Sequence, residues 1–102
     1  MDELRKLFDV EMINIYERAK EECGYNASRF LQMVTQLGGL QAAKALLRTE
    51  EISDGFTALW EHGRLDLTME ALVLRAPWSQ LFSDDELARA RKRLTALGYE
   101  LD

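Results

Sequence analysis

The chain is poor in nearly everything that punctuates or cross-links a fold. It holds one cysteine, one proline and six glycines in 102 residues. Cys23 alone excludes an intramolecular disulfide and a multi-cysteine zinc site, and a free thiol fits a reducing compartment. Scarce Gly and Pro argue against a turn-rich β sandwich and in favour of helices. The only histidine is His62, so the paired-histidine spacings of metalloenzymes are absent. Apolar runs are short, as in Ala71-Leu72-Val73-Leu74, against the roughly 20 residues a membrane-spanning helix needs. The opening Met1-Asp2-Glu3-Leu4-Arg5-Lys6 is charged from its second residue, so no secretory leader is expected, and a cytoplasmic location is.

What is present fits an ordinary globular chain, with 47% apolar and 30% charged residues. The length suits one domain over 1–102, with enough chain to bury a core unaided. The formal net charge of −5 opposes attraction of the whole surface to nucleic acid, though a local patch is compatible with it. Charge is unevenly spread. Residues 24–48 contain no acid and three bases, Arg29, Lys44 and Arg48.

Periodicity and punctuation predict an all-α fold, a compact bundle of about six mostly short helices led by a long N-terminal one. The first helix, about Asp2 to Glu22, carries Leu4, Leu7, Phe8, Met12, Ile15, Tyr16, Ala19 and Cys23 at the 3–4 spacing of one face, and Gly24 suits its end. It would be roughly 30 Å long. Val10 and Ile13 widen the stripe beyond what the chain's own core needs, which points to a partner helix or a homodimer. Asn26 is the expected cap of a second helix to Leu37, and Gly38-Gly39 separates it from an Ala-rich third, Leu40 to Arg48. Ser53 or Asp54 starts a fourth, closed by Gly63, and Asp66 or Thr68 starts a fifth, stopped by Pro77. Ser83-Asp84-Asp85-Glu86 is a capping box opening the last helix, with Phe82 and Leu87 at the staple positions and Gly98 at the end. Trp60, Trp78, Phe30, Phe56 and Phe82 are placed mostly in the core by spacing.

Several motifs could carry function. The run Arg89-Ala90-Arg91-Lys92-Arg93 is either a phosphate-contacting strip or the sorting of bases toward a helix C-terminus, with Asp85 and Arg89 as an i,i+4 pair. The sorting explains it with fewer assumptions. The second and third helices have helix-turn-helix lengths, with Arg29, Lys44 and Arg48 as phosphate contacts. Only Gln41 among the third helix's Ala and Leu resembles a base-reading residue, so an interior hairpin is the simpler account. Gly38-Gly39 ahead of Lys44 suggests an anion-binding helix start, but the phosphate-loop spacing is missing. Glu61, His62 and Asp66 make a weak acid–base or metal set, and Cys23 with His62 a nucleophile pair only if folding joins them. Trp78 either plugs the domain or protrudes toward a partner. Arg64 can bridge Glu61 before it and Asp66 after it, a structural clamp across a tight junction.

The stretch Gly55-Phe56-Thr57-Ala58-Leu59-Trp60-Glu61, leading through Arg64-Leu65-Asp66-Leu67-Thr68, resembles an uncharacterised family of small bacterial helical proteins. Phe30-Leu31-Gln32-Met33-Val34, Gly38-Gly39, Ala42-Ala43-Lys44 and Leu81-Phe82-Ser83 extend the resemblance over residues 25–99. It implies a bacterial source and an autonomous module, and brings no functional residues with it. The expectation is therefore a protein that is not an enzyme and needs no cofactor or metal. It would serve as a protein-interaction or regulatory module, self-association through the first helix being one form. The alternative is a nucleic-acid-binding or DNA-processing accessory protein with a local basic patch.

Overall fold

A computed structural model describes residues 2–49 and 53–99. Six α-helices appear among them, and no strand: α1 (Asp2–Cys23), α2 (Ser28–Leu37), α3 (Gly39–Arg48), α4 (Asp54–Glu61), α5 (Met69–Val73) and α6 (Asp84–Ala96). Short 3₁₀ turns at Leu65–Leu67 and Trp78–Leu81 precede α5 and α6. The Cα radius of gyration is 12.5 Å, close to the ~13 Å expected for a folded chain near 100 residues.

The glycines fall where the chain must turn out of a helix. Gly24, Gly38, Gly63 and Gly98 all have positive φ, between 67° and 84°. At Gly63 the Arg64 amide donates to the Leu59 carbonyl (2.8 Å) and the Gly63 amide to Trp60 (2.9 Å), a Schellman closure of α4. Gly98 closes α6 in the same way, with Tyr99 donating to Leu94 and Gly98 to Thr95. The starts are mostly side-chain caps. Ser53 accepts from the Phe56 amide at 3.1 Å, and Thr68 from the Ala71 amide at 3.1 Å. Ser83 and Glu86 complete the capping box in both directions. Asn26 is not a cap: Ala27 takes that position without a side-chain bond, and the Asn26 side-chain Oδ1 accepts from the Tyr16 hydroxyl instead.

The inner face of α1, with Phe8, Met12 and Ile15, packs on α3 through Leu40, Ala43 and Leu47 and reaches Leu72 and Val73 of α5. Every residue of α5 is buried. It forms the centre of the fold, and α6 covers it with Ala90 and Leu94. Small residues let α3 sit close. A Cβ on Gly39 would lie 2.7 Å from the Asp9 carboxylate and 3.0 Å from the Asp9 Cα, so only glycine permits this approach of α1. Phe56 and Phe82 are buried and Phe30 and Trp78 half-buried, but Trp60 is 46% exposed. Spacing alone placed Trp60 inside. It belongs to a two-turn helix with only Phe56 and Leu59 buried, too narrow a stripe to cover a third large side chain.

Candidate functional site

The basic residues do not form one patch. Arg93, whose side chain is 11% exposed, donates to Glu70 Oε2 at 3.0 Å and to the Leu46 (3.2 Å), Leu47 (3.4 Å) and Thr49 carbonyls at the end of α3. Arg89 donates to the Leu47 and Arg48 carbonyls at 3.2 and 3.3 Å. Two arginines of α6 therefore cap the C-terminus of α3. That is why the Asp85–Arg89 pair is not among the ion pairs of the described residues: Arg89 is aimed at another helix. Arg91 and Lys92 are exposed. Arg91 stands two residues from both capping arginines, which on a helix turns it to another side. The RARKR strip is thus divided between interior and solvent.

The acid-free segment is also partly committed. Lys44 donates to Glu86 Oε1 at 2.8 Å and lies 5.2 Å from the centre of the Phe82 ring, tying α3 to the capping box of α6. Desolvation pushes the Glu86 carboxyl up, but Lys44 and the Ser83 amide outweigh it and hold that group below the usual carboxylate range. Gly39, Leu40, Ala42, Ala43 and Leu47 are buried, leaving Gln41 and Arg48 exposed on α3. A helix committed to the core along this much of its surface has little left to lay in a groove. Arg29 and Arg48 remain exposed, at the same end of the α2–α3 hairpin. The anion place at the start of α3 is taken by the protein itself, since the Gly39 amide donates to Asp9 Oδ1 at 2.6 Å.

The expected clamp forms with a different first partner. Arg64 makes a two-pronged pair with Asp66 (Nε to Oδ1 3.0 Å, Nη2 to Oδ2 3.1 Å), and its Nη1 donates to Glu22 at 2.6 Å. Glu61 is exposed and enters no ion pair among the described residues. The clamp joins the end of α1 to the turn after α4, a link 42 residues long that spacing along the sequence cannot reveal. Arg64 holds the Asp66 carboxyl well below its usual range, while Arg18 and then Arg64 do the same for Glu22. His62 is exposed, whereas Cys23 packs beside Ala19, Leu59 and Leu67. Among the described residues no group of three or more His, Cys, Asp or Glu could hold a metal ion.

Sequence reading passed over Glu70. Its only signal there is an acid beside the short apolar run Ala71-Leu72-Val73-Leu74. Burial pushes its carboxyl above the usual range and Arg93 opposes that. The pair borders a cavity of about 60 Å³ lined also by Ile15, Tyr16, Phe30 and Leu46. A groove of about 640 Å³ beside it runs past Tyr25, Arg29, Phe30 and Met33 to Thr49 and Ser53, where the described residues stop.

The outer side of α1 is different in kind. Leu7 is 53% and Val10 62% exposed, on the opposite side from Phe8, Met12 and Ile15. Glu3, Leu7, Val10, Asn14, Glu17 and Glu21 follow one another at alternating steps of four and three, and all are exposed. That spacing is a single straight seam along a helix. Leu37, at the tip of the α2–α3 hairpin, is 51% exposed. Trp78 stands inward, its ring 5.8 Å from that of Phe8, and so belongs to the packing of α1. No described helix is long and apolar enough to cross a membrane. Compared with protein-family models, curated proteins and solved structures, the chain matches none.

Proposed function

We propose that the protein is a non-catalytic interaction module that presents the outer face of α1 to another protein, working in the cytoplasm. The observation that carries this is the exposure of Leu7 and Val10 on a 22-residue helix whose other side already completes the core. Both lie outside the buried core, and together they offer an apolar strip with polar flanks, the pattern of a helix-to-helix contact. The test places a benzophenone side chain at Val10 in cells producing the chain, with exposed Thr57 as the control position. A protein adduct from Val10 that disappears with Leu7→Lys, and is not given by Thr57, is the expected result. No adduct from Val10, or the same adducts from Thr57, overturns the reading.

The nucleic-acid alternative rests on Arg29 and Arg48, which are exposed and enter no ion pair among the described residues. Two phosphate contacts would give a log K against log salt slope of only about −1.8 on duplex DNA. Titration of labelled duplex and single-stranded DNA and RNA across salt separates the readings. A clearly steeper slope would favour nucleic acid over a protein partner.

A further inference from the structure

We propose that the cavity beside Glu70 is the inner end of a binding site for a neutral alcohol with a slender apolar chain. The site is separate from the outer face of α1 and does not depend on it. Tyr25, Ala27, Phe30 and Leu46 line both the cavity and the larger groove, which makes the groove the way in. Glu70 and Arg93 line the cavity and not the groove, so the ion pair stands at the closed end. Ile15, Leu59, Leu67 and Met69 complete the walls with apolar surface.

The polar groups around the cavity decide the head of the ligand. The Thr68 hydroxyl donates to the Leu65 carbonyl at 2.7 Å and accepts from the Ala71 amide, and the Tyr16 hydroxyl donates to Asn26 at 2.8 Å. Arg93 is spent on Glu70 and on the last carbonyls of α3. The Glu70 carboxylate has capacity left. Among the described residues it accepts from Arg93 at 3.0 Å and from its own amide, whereas a carboxylate has room for about four donors. A neutral donor fits there best. An ammonium would share one carboxylate with Arg93, and a second carboxylate would stand beside Glu70, and either leaves an excess charge in the interior. A hydroxyl meets neither conflict. Because it both donates and accepts, it also suits a protonated Glu70, the form that burial favours. The tail follows from shape. A cavity of about 60 Å³ is well under the roughly 150 Å³ that takes a benzene ring, so an alkyl chain fits where a ring does not. The groove of about 640 Å³ receives whatever extends beyond it.

The test follows the methyl NMR signals of the 102-residue chain during titration with n-pentanol at neutral pH. Saturable shifts of the Leu46, Leu67 and Met69 methyls are expected, with the exposed Leu7 and Leu37 unmoved. Methyl n-butyl ether, of the same size but without a donor, should bind about tenfold more weakly, the loss of one hydrogen bond to a charged group. Pentylamine and pentanoate should bind more weakly than the alcohol as well. Ala27→Trp, a substitution on the half-buried wall shared by cavity and groove, should abolish the alcohol's shifts with an unchanged thermal melt. Equal binding of the ether, or tighter binding of the amine or the carboxylate, would overturn the hydroxyl assignment. Shifts that never saturate, or that move Leu7 as much as Leu67, would overturn the site itself. So would nuclear Overhauser contacts from Ile52 to Leu67 in the free protein, because the chain would then fill its own cavity. Those readings use the unaltered protein, so they decide the matter even if Ala27→Trp fails to fold.

Discussion

Helices α3 and α6 are of similar length and end in quite different ways. The start of α6 is capped by its own Ser83 and Glu86, and its end is closed by its own Gly98. For α3 the start is capped by Asp9, 30 residues earlier, and the end by Arg89 and Arg93, more than 40 residues later. Thus α6 has its boundary conditions written within it, while α3 borrows them from both neighbours. The difference separates a helix that local sequence specifies from one that exists because the fold around it exists.

The strongest way to break this contrast is Arg93→Met. It removes caps from α3 and strands Glu70 in the interior, and orphaning a buried charge costs about 3–5 kcal/mol. Urea unfolding at about pH 7 measures it. In the variant the unpaired Glu70 should take up a proton more readily folded than unfolded, because its carboxyl is already raised in the intact protein. Its destabilising effect should therefore shrink as pH falls through the raised folded value toward the ordinary carboxylate range. A deficit that is constant with pH would mean that the lost caps, not the stranded carboxylate, dominate.

Gly39→Ala comes next. The added methyl meets the Asp9 backbone as well as its side chain, and overpacking of this kind costs about 1–3 kcal/mol. Hydrogen exchange should show the α1–α3 contact loosened and the first turn of α3 exposed. Ser83→Ala, the corresponding break in the locally specified helix, should cost about 1 kcal/mol and fray only the start of α6. If it instead unsettled α3, through Lys44 and Glu86, the start of α6 would be no more locally determined than that of α3.

The smallest effect is expected for Arg64→Ala, because its ion pairs are solvent-exposed and screened. Its signature is in pH rather than size. Asp66 and Glu22 have carboxyls lowered by Arg64, so their contribution is present above the ordinary carboxylate range and is lost as pH falls through the lowered values. Without Arg64, part of that acid-side loss should vanish from a plot of stability against pH.

The same contrast explains what the sequence could disclose. Helix number, the glycines at 24, 38, 63 and 98 as helix ends and the capping box are local statements and were legible, while Ser53 and Thr68 were each one of two candidate caps. Asp9 looked like one more charge on a polar face, and Arg89 and Arg93 like ordinary base sorting along a helix. Their roles depend on which helix lies alongside, and no periodicity carries that. Glu70 was hidden for a related reason, since an acid in an apolar run acquires meaning only when its counterion is known. Glu22 displaced Glu61 in the Arg64 clamp because α1 returns there in space, not in sequence. Surplus apolar width on α1 was legible at Val10, but Leu7, which spacing assigns to the inner face, is 53% exposed, while Ile13, which spacing sets off that face, packs against the core; the neighbours of α1 decide both.

The distant caps of α3 also impose an order in time. As the chain is synthesised from its N-terminus, Asp9 is available before α3 is made, but Arg89 and Arg93 follow it by more than 40 residues. Until they emerge, the last carbonyls of α3 lack these partners and the buried place of Glu70 has no counterion. A chain truncated before Arg89 should therefore hold α1 against the start of α3 while the end of α3 frays.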